Sequence, residues 1–356
     1  MKYLIVQEWM NTKGNHAGMK HMCDLLVEKY PDKYEMVVNP PPSDVKRSRF
    51  WLMRKIQSKR MYWESQYITP LRYKKLCSSI FKKLKPGDEV FLLEYCFLAI
   101  PQLPLAQYIK RKHKGVRVYG LSHLTPSFQY GGGDTYAQII HNWSSSCDKM
   151  LTLGSSLSSF MCKEGRVIGD KVSTGFHYVD LSYYNNPNLR APGNRLRVIA
   201  IGMLQRDFSL LASIVKATPG VDWVICKGHK NVDSFFAESN NVQLRGFMEE
   251  EELREEMALS DVSINVFDDT VGSNVITTSM AMGLAMVCSD VGSIRDYCTS
   301  ENCVFCSNTK EDFVNAINKM AGNKEGVYQM KLKSLELSQR LSIDKVDAWF
   351  SSLNDN

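Results

Sequence analysis

The segment from Val242 to Cys298 constrains the fold more than any other part of this 356-residue chain. A short apolar strand and an acidic helix lead into a second strand, over 262–266, which ends in a polar loop. The pattern then predicts a helix of small and apolar residues over 275–282 and a strand of buried type over 284–288. Gly283 separates the two. This alternation of strands and helices predicts a parallel, doubly wound sheet.

The start of the helix predicts a site for an anion. The polar loop closes with Gly272-Ser273-Asn274, and Val275 follows inside the helix. A helix start presents free backbone N–H groups and the positive end of the helix dipole. A diphosphate therefore suits this position.

This string resembles the nucleotide-sugar half of the retaining GT-B glycosyltransferases of family 4. The resemblance covers Ser273 to Gly283 and continues from Ser289 to Asp296, which reads Ser-Asp-Val-Gly-Ser-Ile-Arg-Asp. In that family one glutamate contacts the transferred sugar and a second binds the ribose. The second falls on Thr278 and the first on Thr270, beside Asp268 and Asp269. The resemblance implies a donor site in which Thr278 occupies the ribose position and Asp268 or Asp269 contacts the sugar.

Two further stretches resemble the same family and suggest how the chain divides. Residues 147–156 look like its "Ala-Asp, strand, Ser" signature, and residues 175–184 are similar to the string that closes its N-terminal domain. Pro187 and the Pro192-Gly193 pair punctuate a linker without periodicity. A fresh strand begins at Arg197.

The expected architecture is α/β, with two Rossmann-like doubly wound domains facing a central cleft. Residues 1–187 form the acceptor-side domain and 195–341 the nucleotide-sugar domain. Residues 342–356 are expected to pack back on the first domain. Strands predicted over 3–7, 89–94, 116–121 and 149–153 supply the first sheet.

Four candidate residues stand where strands end. Arg206 follows the strand that leads to Gly202. Its planar guanidinium can donate hydrogen bonds to two phosphate oxygens at once. Lys227 ends the next strand and is the candidate second cation. His123 follows the strand over 116–121, and the resemblance implies that it contacts the donor sugar. Gly18, in the first loop, would let the backbone approach the donor. We predict His123 and Asp269 as catalytic.

The net charge of +6 is unevenly distributed. Between Lys46 and Lys85 the chain has thirteen lysines and arginines and one acid, Glu64, interleaved with aromatic residues. This pattern suits an anionic membrane surface or a lipid-diphosphate acceptor. A solvated pair of basic helices is the alternative. No recognition motif supports nucleic acid as a partner.

Cysteine usage and hydropathy predict a cytoplasmic protein. Peripheral association with the inner face of the membrane is the alternative location. No apolar run reaches the roughly 18 to 20 residues that span a bilayer, and most of the ten cysteines stand singly in apolar runs. Cys298, Cys303 and Cys306 have an iron–sulfur-like spacing, yet a fourth thiolate is not evident. We predict core thiols, no cofactor and no metal.

The leading interpretation is a retaining, metal-independent glycosyltransferase that uses a nucleotide-diphosphate sugar and a glycan or lipid-linked acceptor. A nucleotide-dependent dehydrogenase would need Gly-x-Gly-x-x-Gly after a strand, and no such string occurs. A non-catalytic or regulatory homologue with an altered donor site remains the alternative. The two replaced glutamates favour it, and Ser273, Arg206 and His123 argue against it.

Overall fold

The structure is a computed structural model that describes residues 1–9, 14–39, 51–63, 67–127 and 133–354. Contacts divide the chain into two compact units. The first contains Met1–Thr152 and Ser158–Thr174, and the second contains Leu153–Leu157 and Gly175–Asp355. Each unit holds a six-stranded sheet whose strands all pair in parallel. The predicted fold class is therefore confirmed.

The first sheet is built from β1 (Lys2–Gln7), β2 (Tyr34–Asn39), β3 (Glu89–Leu92), β4 (Arg117–Ser122), β5 (Lys149–Thr152) and β6 (Val172–Thr174). Its helices are α1 (Met19–Lys29), α2 (Trp51–Trp63), α3 (Thr69–Leu76), α4 (Ser78–Phe81), α5 (Gln102–Lys112), α6 (Gly133–Ser144) and α7 (Ser155–Lys163). The strand order is β2-β1-β3-β4-β5-β6. The winding direction therefore reverses between β1 and β3, and ligands of such sheets bind at the carboxyl ends of strands beside the reversal.

The second sheet is built from β7 (Arg197–Ile201), β8 (Asp222–Cys226), β9 (Val242–Arg245), β10 (Val262–Asn265), β11 (Ala285–Ser289) and β12 (Cys303–Cys306). Its helices are α8 (Phe208–Ala217), α9 (Asp233–Phe236), α10 (Glu250–Ala258), α11 (Asn274–Ala281), α12 (Ile294–Tyr297), α13 (Lys310–Ala321), α14 (Lys324–Ser338) and α15 (Ile343–Ser352). The order β12-β11-β10-β7-β8-β9 places the reversal between β7 and β10.

The core of the second unit joins the sheet to α8 and α13. Phe208 of α8, Trp223 of β8 and Phe313 of α13 belong to one buried cluster. Burial of each such side chain contributes about 2 kcal/mol or more to stability. Trp223 also donates its indole N–H to the hydroxyl of Thr218 at 3.2 Å, so its polar atom is satisfied inside the core. This packing fixes the strand ends that carry the candidate site.

Residues 175–187 are grouped with the second unit. The backbone N–H of His177 donates to the hydroxyl of Tyr297 at 2.8 Å, and the carbonyl of Tyr178 accepts from Thr277 at 3.4 Å. Residues 342–354 are also grouped with the second unit. The predicted domain limits at 187 and 195, and the packing of 342–356 on the first domain, stay predictions.

The basic segment is described only in part. Residues 46–50 and 64–66 lie outside the described residues, so Lys46, Arg47, Arg49 and Glu64 have no structural account. α2 and α3 cover most of the remainder. Over the described part of the chain, every helix is too short or too polar to cross a membrane.

Candidate functional site

The start of α11 carries three backbone N–H groups that bind nothing else in the described chain. Ser273 caps the helix, accepting from the N–H of Ile276 at 3.4 Å through its side chain. The amides of Ser273, Asn274 and Val275 have no acceptor among the described residues. The first turn of a helix leaves such groups unsatisfied, and its dipole adds positive potential. This geometry suits an anion.

The loop between β10 and α11 presents two acids with different exposure. Asp268 is exposed and Asp269 is partly buried, where its carboxylate accepts from the N–H of Thr270 at 2.7 Å. Thr270, which falls on a glutamate position of the resembled family, is buried, and its hydroxyl accepts from the N–H of Gly272 at 3.1 Å. Thr270 therefore supports the turn, and the two aspartates are the acids available beside it.

Gly272 makes the turn into α11 possible. Its φ of 97° lies in the region that favours glycine. A Cβ here would lie 2.6 Å from Cζ of Tyr297 and closer still to its hydroxyl. That hydroxyl donates to the carbonyl of Leu153 and accepts from the N–H of His177 at 2.8 Å. Tyr297 thus braces the turn that sets the three free amides.

Arg206 lies where the second sheet reverses its winding. Its Nε and Nη2 donate to the carbonyl of Ile201, at 3.1 and 2.9 Å, and Nη2 also donates to Asn265 Oδ1 at 3.3 Å. The guanidinium stacks on Phe267, with Cζ 3.8 Å from the ring centroid. Nη1 is buried and has no partner in the described part of the chain. Burial lowers the pKa of Arg206 to about 9, so the group stays charged at pH 7.

Arg206 can therefore offer only Nη1 to an anion. The sequence analysis predicted that two nitrogens of the guanidinium would bind two phosphate oxygens. The other end is occupied by Ile201 and Asn265, the end residues of β7 and β10. The role of Arg206 as a phosphate ligand stays a prediction. Its hydrogen bonds also join the ends of β7 and β10, which is a structural role.

Lys227 and Thr278 already have partners. The Lys227 ammonium pairs with the carboxylate of Asp233, and it must leave that partner to reach a diphosphate. The Thr278 hydroxyl donates to the carbonyl of Asn274 at 2.7 Å, and the side chain is buried. Only oxygen lone pairs of Thr278 remain for a ribose. The sequence alone does not show either pairing.

His229 and Phe247 form an aromatic pair that the sequence analysis did not identify. His229 follows β8 and Phe247 follows β9, and their rings are parallel with centroids 4.7 Å apart. Phe247 is 49% exposed. An exposed aromatic face of this kind accepts a nucleobase by stacking.

His123 follows β4 in the first unit, as predicted, and contacts a buried acid. Its Nε2 lies 3.7 Å from Glu94 Oε2, and its Nδ1 is buried without a partner among the described residues. Burial lowers the pKa of His123 to about 4 and raises that of Glu94 to about 8. The sequence analysis does not identify Glu94, although a single acid in the apolar run Phe91-Leu92-Leu93-Glu94-Tyr95 is a signal for a buried, functional carboxyl group.

Gly18 precedes α1 at the carboxyl end of the same sheet. It is the N-cap residue of the helix, and the space beside its Cα is open. The position permits a close approach by a ligand. Its role in binding stays a prediction.

The cysteines with iron–sulfur-like spacing are buried. Cys303 and Cys306 lie on β12 and Cys298 follows α12. Within the described ranges, no three cysteines lie close enough together to share a metal ion. The absence of a metal centre stays a prediction.

Comparison with protein families finds a match for part of the second unit. Residues 197–323 match the family of glycosyl transferases group 1. This stretch is a group 1 glycosyl transferase domain. It contains the candidate residues from Arg206 to Thr278 and ends before α14 begins. A search of curated proteins finds no match.

Solved structures share the fold over almost the whole chain. Anabaena Alr3699/HepE in complex with UDP is 13% identical, with a TM-score of 0.70 and 99% of each chain covered. Sucrose-phosphate synthase from Thermosynechococcus elongatus is 11% identical, with a TM-score of 0.72 and 99% of this chain and 98% of the synthase covered. A glycosyltransferase from Rickettsia africae ESF-5 is 11% identical, with a TM-score of 0.68 and both chains fully covered. The group 1 domain thus lies within a GT-B fold.

Proposed function

We propose that the protein transfers a sugar, with retention of configuration, from a nucleotide-diphosphate sugar to a hydroxyl of a glycan or lipid-linked acceptor. The observation that carries the proposal is the row of three free amides at the start of α11, inside the group 1 domain. HepE, which shares the fold, was solved with UDP. A place in surface polysaccharide or glycoconjugate synthesis, at the cytoplasmic face of a membrane, fits such an acceptor.

The leaving diphosphate needs positive charge as its bond to the sugar breaks. The α11 amides and the free Nη1 of Arg206 supply it without a metal ion, and Lys227 adds a charge if it leaves Asp233. Preorganised donors of this kind stabilise developing charge effectively because they need no reorganisation during the reaction. The proposed reaction is therefore metal-independent.

The remaining assignments concern the sugar and the base. We assign Asp269 and His123 to the reacting sugar, with Asp268 as the exposed acid beside it. Thr278 offers lone pairs to the ribose, and the face of Phe247 offers a surface to the base. Gly18 and Gly272 let backbone approach the donor.

A non-catalytic homologue that binds the nucleotide is the second candidate. Thr270 and Thr278 stand at the family's two glutamate positions, and both hydroxyls are engaged within the protein. Such a protein would bind a nucleotide diphosphate and transfer no sugar.

Replacing Asn274 with proline is expected to weaken donor binding about tenfold relative to Asn274→Ala. Proline is tolerated at the first helical position, and Ser273 already has the extended backbone that precedes proline. The substitution removes one amide donor while the helix persists, and a hydrogen bond to a charged group contributes about 1.5 kcal/mol. The measurement is calorimetric titration with UDP, GDP, CDP and ADP and their sugar conjugates, in EDTA.

The alanine variant is the matched control because it removes the same side chain and keeps the amide. Equal affinity of the two variants for the best ligand would contradict the amide site. Binding that vanishes in EDTA and returns with manganese would contradict the metal-independent part. Binding without transfer to any acceptor would favour the non-catalytic homologue.

The exposed surface of α2 and α3 supports a membrane-bound acceptor. Trp51, Ile56 and Trp63 of α2 are 68%, 54% and 56% exposed, and Leu71 of α3 is 68% exposed. Exposed basic residues lie among them, including Lys55 and Lys59. Aromatic residues with basic neighbours suit the interface of an anionic bilayer. We propose this face as the membrane contact.

Binding to anionic vesicles is expected to fall about 30-fold when Lys55 and Lys59 are both replaced by glutamine. Each lysine near an anionic surface contributes about 1 kcal/mol, and the attraction is screened by salt over about 8 Å at physiological ionic strength. Vesicle co-sedimentation over a salt series measures the effect. The control carries Lys310→Gln and Lys319→Gln, which remove the same charge from exposed positions of α13. Salt-insensitive binding, or equal loss in both variants, would count against the membrane face.

A further inference from the structure

Glu94 lies where the first sheet reverses its winding, between two aromatic side chains. Trp9 follows β1, Glu94 follows β3 and His123 follows β4. The Trp9 indole N–H donates to Glu94 Oε1 at 3.2 Å, and Glu94 Oε2 lies 3.7 Å from His123 Nε2. The Glu94 side chain is 3% exposed and that of His123 is 19% exposed. Three strand ends thus converge on one buried carboxyl group.

The surroundings of Glu94 keep its carboxyl group protonated at neutral pH. Desolvation raises its pKa to about 8, and the hydrogen bond from Trp9 lowers it only in part. The titratable groups that face it from the packed helices are Cys23 of α1 and Tyr73 of α3. Burial raises the pKa of both, so neither is charged near pH 7. Among the described residues, no lysine or arginine offsets the burial.

The position of the proton on the carboxyl group follows from the partners. The indole N–H is a donor only, so Oε1 must act as an acceptor. We place the O–H on Oε2, because that oxygen faces His123 Nε2, which can accept a proton, and because a carbonyl oxygen is the stronger acceptor for the indole N–H. The separation of 3.7 Å exceeds hydrogen-bond length, so the proposal requires the ring to move closer; catalytic hydrogen bonds often tighten when a substrate binds. Nε2 is then the acceptor and the ring proton lies on Nδ1.

We propose that Glu94 is a positioning residue, which donates its carboxyl proton to Nε2 and holds His123 as the neutral Nδ1–H tautomer. This inference rests on the proposed function, in which His123 acts on the donor sugar. Trp9 completes the arrangement by holding the carboxyl group in the orientation that turns Oε2 toward the ring. The hydrogen bond made by one ring nitrogen of a histidine commonly decides whether the other nitrogen carries the proton.

The proposal predicts which protonation state is active. Below pH 8 the carboxyl group donates to Nε2. Above that pH its proton is lost to solvent, and the carboxylate then accepts a hydrogen bond, so the ring proton moves from Nδ1 to Nε2. Activity should therefore fall about tenfold per pH unit above about pH 8. The ionisation of Glu94 causes this fall in activity above pH 8, and His123 itself stays neutral over the same pH range.

The test compares three variants in the full-length protein. Glu94→Leu should lower kcat/KM at pH 7 about 100-fold, the scale of a lost acid–base contribution. Glu94→Gln should restore most of this loss, because its amide N–H donates to Nε2 and its carbonyl accepts from Trp9. It should also abolish the fall above pH 8, since the amide does not titrate. Trp9→Phe should move the fall to higher pH, because its hydrogen bond lowers the pKa of Glu94.

A second readout needs no substrate. Nitrogen-15 NMR of the histidine rings, assigned with a His123→Gln variant, reports which ring nitrogen is protonated. We expect the Nδ1–H form at pH 7 in the wild-type protein and in Glu94→Gln, and the Nε2–H form in the wild-type protein above pH 9. An Nε2–H ring at pH 7, or Glu94→Gln as inactive as Glu94→Leu, would overturn the proposal. Failure of transfer in the wild-type protein with the expected tautomer would refute the proposed function instead.

Discussion

Replacing Gly272 with alanine is expected to lower the free energy of unfolding by about 3 kcal/mol and to abolish donor binding. The backbone φ of 97° costs a non-glycine residue about 1 to 2 kcal/mol, and the new Cβ would overlap the ring of Tyr297. If Tyr297 moves away, its bonds to Leu153 and His177 are lost, at about 1 kcal/mol each. The amides of α11 would shift with the turn.

The control for this variant is Gly220→Ala. Gly220 lies between α8 and β8, where a Cβ meets nothing within 4 Å and φ is not positive. We expect its stability within about 0.5 kcal/mol of wild type. Chemical denaturation measures both variants, and calorimetry with the best nucleotide measures binding. If Gly272→Ala has wild-type stability and affinity, the turn does not set the site as we describe.

The helix and the strand on either side of Gly283 could be predicted because their signals are local. The helix predicted over 275–282 is α11 (Asn274–Ala281), and the strand predicted over 284–288 is β11 (Ala285–Ser289). Gly283, with a φ of 68°, separates them as expected. Hydrophobic periodicity and a glycine at the helix end are read from neighbouring residues, so no tertiary contact is needed.

β2 (Tyr34–Asn39) was missed for a physical reason. It is one of the two edge strands of the first sheet, and only Tyr34 of its six residues is buried. An edge strand with one neighbour has less apolar surface to bury, so its sequence lacks a strong pattern. The central strand β1, buried at all six positions, was predicted with a difference of one residue.

The sequence predicts where the candidate residues lie relative to the strands, but it does not predict which residues they contact. Arg206, Lys227 and His123 follow β7, β8 and β4, as the strand pattern predicted, because the carboxyl edge of a parallel sheet is a topological feature. Their roles in the site stay predictions. Some contacts that shape the site join distant parts of the chain. Glu94 meets Trp9 across 85 residues, and the Tyr297 hydroxyl meets Leu153 across 144 residues. A sequence read alone does not specify such contacts.

Arg206 and Thr278 are expected to differ in their importance for donor binding. Arg206→Ala should cost on the order of 2 kcal/mol of donor affinity, as for a charge-assisted pair, because Nη1 is the free end of a buried cation. Thr278→Ala should cost under about 1 kcal/mol, because its hydroxyl proton is already donated to Asn274. The diphosphate, and not the ribose, would then supply most of the affinity.

The comparison of Arg206→Ala with Thr278→Ala also needs a control for the stability of each variant. Arg206→Ala leaves the Ile201 carbonyl and the Asn265 oxygen without their donor, so some destabilisation is expected in addition to weaker binding. Arg206→Lys keeps the cation but lacks the planar fork, and should recover part of the affinity. Calorimetry is done at a temperature where denaturation curves show each variant fully folded. If Thr278→Ala abolishes binding while Arg206→Ala leaves it intact, the ribose contact dominates and this account of the donor site is wrong.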